Sequence, residues 1–266
     1  MLLEQPIEID RNLPAWARRS NPIIRRQLGM YWKTVLPEAG FLVRALGLQI
    51  AFVLVTLPIP FLFNLAMPTI TASLLLFPFA LYVYGQVLFS VGTNAVNAIV
   101  HELRSDTFTL LRVTPFDTES IVASKIAASI WRQAENLSIL VFAASLFSLP
   151  LLISQYATLW PMDSHPYISR AAMIIGLVVS LARLFLEPVM IATVGAMIGA
   201  AVPVRSTALL STAFFGFFYF LLMNMSRVVQ MSWPLHYLVE FVFPIAVPLL
   251  LTAGAFRITV YLLQRD

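Results

Sequence analysis

The chain has no cysteine among its 266 residues. That excludes disulfide staples, thiolate metal sites and a cysteine nucleophile. Histidine is nearly as scarce. His101, His165 and His236 lie far apart, with no HExxH or paired-histidine spacing, so a metal site has little support. Charge is the third shortage: only 11% of residues are Asp, Glu, Lys or Arg, against roughly 25% in a soluble domain. No GxxxxGK[ST] phosphate loop occurs, so the chain lacks the usual means of hydrolysing ATP. The opening residues carry acids and prolines where a secretory leader would be apolar, and no cleavable signal peptide is expected.

Apolar side chains fill the space. They make up 59% of the chain, and the mean hydropathy is +0.84. A globule must keep a polar skin, and a chain of this size cannot hide so much apolar surface. An ordinary cytoplasmic enzyme, a disordered tail and a nucleic-acid module are therefore excluded, and a bilayer is the expected solvent. The net charge of +4 then reflects sorting of cations to one membrane face, not affinity for nucleic acid.

About 20 apolar residues cross the hydrocarbon layer as a helix. Six stretches qualify: Ala45 to Met67, bent at Pro58 and Pro60; Thr69 to His101; Asn136 to Ser154; Ala171 to Val202; Thr207 to Asn224; and Tyr237 to Ile258. The expected fold is thus all-α, a polytopic protein with six transmembrane helices over residues 45–262. A segment at 1–44 precedes them and a tail at 263–266 follows. Fourteen of the 17 lysines and arginines fall on the side that holds both termini, which predicts a multi-pass protein with both ends cytoplasmic. Tyr156, Trp160 and Trp233 fit an aromatic belt at the outer interface.

Two inner segments are not explained by spanning. From Asn21 to about Glu38, Ile24, Leu28, Tyr31, Trp32 and Val35 recur at helical spacing behind Pro22, with Ser20 or Asn21 as cap. This predicts an amphipathic helix in the inner interface; a soluble helix packed on a partner is the alternative. The second segment, His101 to Lys125, has polar ends and an apolar middle. Thr114-Pro115 stops one short helix, and Asp117 or Thr118 caps the next.

The loop from Glu102 to Pro115 resembles the E-R-E-S-G-T-L-E-L-L-L-L-T-P segment of permease subunits in the type-two (drug and polysaccharide export) family of ATP-binding-cassette transporters. It matches at Glu102, Ser105, Thr107, Leu110, Leu111, Thr114 and Pro115, and Lys125 falls where the family lysine is expected. Asp106 and Ser124 replace family glycines. Asn21 to Leu28, NPIIRRQL, resembles the N-P-x-x-x-R-E-L start of such permeases. The resemblance implies a coupling helix between spans two and three that seats in a separate ATPase subunit. The residues it assigns to coupling are Glu102, Arg104, Asp106, Thr107, Leu110, Leu111, Arg112, Thr114 and Pro115. It also implies a second permease copy or paralogue, surrounding membrane lipids, a bacterial-type inner membrane, and ATP and Mg on the partner. This chain would bind no cofactor and perform no catalysis of its own. A non-transporting membrane scaffold of the same fold is the alternative.

Other polar residues have plainer uses. Arg183 and Glu187, spaced i, i+4, can pair on one helix face inside a span. Gly195 and Gly199 form GxxxG, which permits close helix packing, within the chain or in a dimer. Gln86, Asn94, Asn97, Ser211 and Asn224 suit interhelical hydrogen bonds, and His236 with Glu240 an interfacial pair. On the coupling reading, the double substitution Glu102→Ala, Arg104→Ala weakens ATPase binding or uncouples hydrolysis. A pull-down and an ATPase assay on the double mutant check this.

Overall fold

The computed structural model describes residues 12–29, 39–105, 107, 111, 116–161, 164–202, 204–229 and 232–265. Among them every regular element is helical and no strand occurs. The helices are α1 (Pro22–Leu28), α2 (Ala39–Val55), α3 (Phe63–Arg104), α4 (Thr118–Trp131), α5 (Ala134–Leu159), α6 (Pro166–Ala201), α7 (Arg205–Val228), α8 (Trp233–Tyr237) and α9 (Phe243–Arg265). A π turn at Leu238–Val242 joins α8 to α9. It ends against Pro244, which has no N–H to continue the α ladder.

Five segments among the described residues are long and apolar enough to cross a membrane: Pro68–Arg104, Ala134–Tyr156, Pro166–Ala201, Arg205–Met225 and Pro234–Arg265. Gly40–Val55 is a shorter apolar helix. The expected first span, Ala45 to Met67, is therefore two pieces. Pro58 and Pro60 each lack an amide donor and clash with the preceding turn. The helix stops at Val55, a 3-10 turn follows at Pro60–Leu62, and Phe63 already belongs to α3. Pro68 and Pro78 are by contrast retained inside α3.

The centre of the bundle is the crossing of α3 and α6. Val87, Val91, Ala95 and Ile99 recur every four residues on α3, so they share one face. They pack with Ala192 and Ala196 of α6. A Cβ at Gly195 would stand 2.9 Å from the Gly92 carbonyl oxygen, and one at Gly199 would stand 3.2 Å from that of Val96. The GxxxG pair thus packs against α3 of the same chain and is buried there. Large apolar side chains such as Leu75, Phe79, Leu210, Phe214 and Leu250 point outward, as a lipid-facing surface requires.

Two placements differ from expectation. Trp160 and Tyr156 are only 2% and 1% exposed. They are not belt residues: their rings meet Phe241, each with centroids 5.8 Å apart. Trp233 offers no described side chain to compare. The N-terminal helix is also shorter than predicted. Asn21 caps it as expected, its Oδ1 accepting the Ile23 N–H at 2.9 Å. It ends at Gly29, whose φ of 54° is a conformation that favours glycine. Tyr31, Trp32 and Val35 lie outside the described residues. Ile24 and Leu28 are buried against Ala127 and Ala128 of α4, so this apolar face is covered by the protein itself.

Gly195→Ala is expected to destabilise the chain by about 1–3 kcal/mol, the usual cost of overpacking. Gly254→Ala, where a Cβ meets nothing within 4 Å, serves as the neutral control. Thermal unfolding of the two variants in detergent measures the difference.

Candidate functional site

Charged groups in an apolar body must be paired or hydrogen-bonded. They gather at three places. The first is the base of the connection between α3 and α4. α3 runs to Arg104, and Ser105 closes it by donating its N–H to the His101 carbonyl at 3.1 Å. One turn earlier, Glu102 forms an ion pair with Lys125 of α4. Lys125 is 1% exposed and also donates to the Ala98 carbonyl at 3.0 Å. Burial pulls its ammonium below the ordinary lysine range, and Glu102 acts against that shift. The two ends of the loop are thereby held together.

Of the residues assigned to coupling, Glu102 is buried and Arg104 is exposed. Thr107 Oγ1 lies 3.0 Å from Ser105 Oγ. Leu111 is half-buried against the α3–α6 core. Asp106, Leu110, Arg112, Thr114 and Pro115 lie outside the described residues. Asp117 precedes α4 as expected, but as a backbone cap: its carbonyl accepts the Ile121 N–H at 3.1 Å. Below the loop, the N-terminal segment is tied to α4. Trp131 Nε1 donates to the Ala17 carbonyl at 3.0 Å. Arg132 donates through Nε and Nη2 to the Gln27 carbonyl in the last turn of α1, where a cation suits the helix dipole.

The second place is Glu187, 2% exposed on α6. It pairs with Arg183 one turn away, with Nε to Oε1 at 2.8 Å. Tyr84 of α3 donates to Oε2 at 2.5 Å, and Tyr219 of α7 donates to Oε1 at 2.9 Å. Three helices thus converge on one carboxylate. The i, i+4 spacing exposes the Arg–Glu pair to sequence reasoning, but the tyrosines come from positions 84 and 219. Their only signal is that each puts a hydroxyl in an otherwise apolar run.

The third place is Glu240, on the π turn. It accepts from Gln155 Nε2 at 3.0 Å and Tyr156 Oη at 3.1 Å. His236 stands edge-on to Trp160, centroids 6.3 Å apart. Nearby, Arg170 is buried, with Nη2 donating to the Thr56 carbonyl and Nη1 to that of Pro166, both at 2.9 Å. It satisfies an orphan acceptor past the end of α2 and lies over the Phe63 ring at 5.5 Å. The amides behave as interhelical ties in two cases: Asn97 Oδ1 accepts Arg205 Nε at 2.7 Å, and Asn94 Oδ1 accepts Arg132 Nη1 at 3.4 Å. Gln86 and Asn224 bond within their own helices. Among the described residues no group of three or more metal-ligating side chains occurs.

Lys125→Met leaves Glu102 buried beside no cation, and about 3 kcal/mol of stability is expected to be lost. Denaturant unfolding of the wild type, Lys125→Met and Lys125→Met, Glu102→Leu measures it, with the double variant recovering part of the loss. The lysine itself binds its proton less tightly folded than unfolded. Its contribution to stability therefore rises with pH between the lowered value and about 10.4. The slope disappears in Lys125→Met.

Compared with known proteins, the chain matches no family model, no curated protein and no solved structure.

Proposed function

We propose that the chain is the membrane permease subunit of an ATP-driven exporter, of the type-two ATP-binding-cassette kind, driven by a separate ATPase. The supporting observation is the Glu102–Lys125 pair. These two residues fall where the family glutamate and lysine stand, and they meet as a buried ion pair at the base of the connection between α3 and α4. A partner that pushes on residues 105–117 then moves α3 and α4 together, because a buried pair resists separation. α3 carries the motion to α6 through the small-residue seam. α1, docked on α4, adds a second contact surface at the same end.

In this reading α2 supplies a sixth crossing. Its 17 residues rise about 26 Å, short of a core of about 30 Å, and the turn through Pro60 to Leu62 completes the depth. Both termini then lie in the cytoplasm with the arginine-rich end, in a bacterial-type inner membrane. A second permease copy completes the pathway. Transport, not catalysis, is the role of this chain, with ATP and Mg bound by the partner.

Glu102→Ala unpairs Lys125 as well as altering the loop, so exposed Arg104 carries the test of docking. Arg104→Glu is expected to reduce co-purification with the cognate ATPase by about tenfold, the scale of one charge-assisted contact. The fold is checked by unchanged thermal unfolding. Cysteine introduced at Ser105 of this cysteine-free chain is expected to resist an impermeant maleimide in intact cells. Labelling from outside, or isolation of the native assembly without any ATPase, overturns the reading; the second result favours the scaffold.

A further inference from the structure

We propose that the chain binds one anionic phospholipid, its phosphate in an arginine-lined cavity and an acyl chain in the adjoining groove between α3 and α7. The cavity, of about 630 Å³, is lined by Arg26, Arg104, Arg132 and Arg205 together with Asn94 and Asn97. Among its described lining residues the one carboxylate is Glu102, which already faces Lys125. Arg26 and Arg205 make this lining cationic. Arg132 is committed to the Gln27 carbonyl and Asn94, whereas Arg205 donates through Nε to Asn97, which orients its Nη1–Nη2 edge to suit the fork geometry of a phosphate.

The second observation is the groove. It holds about 240 Å³ and is lined by Gly85, Gly92, Thr93, Leu209, Gly216 and Phe217, among others. It lies along the same two helices as the cavity: Thr93 directly precedes Asn94 on α3, and Leu209 lies one turn from Arg205 on α7. Phe89 and Phe217, which also line it, are exposed, so it opens on the outer surface of the bundle. Arg205 starts the apolar segment Arg205–Met225, which sets the cavity at the level of lipid headgroups. A cationic chamber and an apolar slot set along the same two helices match a molecule that is anionic at one end and apolar at the other. This assignment requires only that the chain sits in a bilayer and stands whether or not an ATPase docks.

Native mass spectrometry of the full chain in detergent, with phosphatidylglycerol or phosphatidylcholine added, tests it. Wild type is expected to retain phosphatidylglycerol over phosphatidylcholine by about tenfold, the scale of a charge-assisted contact. Arg26→Gln, Arg205→Gln removes that preference. Gly85→Leu, placed where a Cβ meets nothing within 4 Å, lowers retention of both lipids while unfolding at the same temperature as wild type. Equal retention by wild type and all variants overturns the proposal. Displacement of the lipid by inorganic phosphate alone, with Gly85→Leu unaffected, also overturns it in favour of a free-anion site. A change of oligomeric state in Gly85→Leu overturns it in favour of a second copy covering the groove.

Discussion

The close approach of α3 to α6 governs the arrangement of the molecule. Gly195 leaves no room for a side chain against the Gly92 carbonyl of α3, and Gly199 little against that of Val96. Dispersion contacts fall steeply with separation, so backbones this near are held by many short contacts that a methyl added at Gly195 would break. The same approach brings Tyr84 to Glu187 and sets the Val87–Ile99 face on Ala192 and Ala196. α3 continues beyond the seam to Arg104, and its far end then meets α4 through Glu102.

Polar groups are used sparingly and at defined depths. Glu187 is the meeting point of α3, α6 and α7, and its carboxylate oxygens accept from Arg183 and two tyrosines. A carboxylate in an apolar interior is tolerated only with donors around it, because water is not there to solvate it. Arg170 and Glu240 do comparable work at the opposite end from Lys125, tying the α2 terminus and the π turn to the bundle. Such pairs add little net stability compared with apolar packing, but each opposes alternative registers, because sliding one helix would strand a charge.

Much of this was legible in the chain. Five of the six expected spans correspond to long helices, since hydropathy averaged over some 20 residues is insensitive to local detail. Asn21 caps α1 as read, its side chain accepting the Ile23 N–H, whereas the end at Gly29 was missed because the periodic stripe runs past it. The first stretch, read as one bent helix, is in two pieces because two prolines spaced two apart end a helix, whereas Pro68 and Pro78, ten apart, are absorbed. Trp160 and Tyr156 were read as belt residues because an aromatic near a span end has the same appearance in sequence whether lipid or other rings surround it.

Composition points this chain to an apolar solvent, because so few charges cannot cover a globule, and its apolar runs of about 20 residues point to helices, whose backbone bonds to itself within the segment. Partners are a different matter. That Lys125 meets Glu102, that Tyr84 and Tyr219 reach Glu187, and that Gly195 and Gly199 rest on α3 and not on another chain follow from how the helices cross. Crossing angle and register depend on contacts between residues as much as a hundred positions apart, and neither periodicity nor spacing within one helix carries that information.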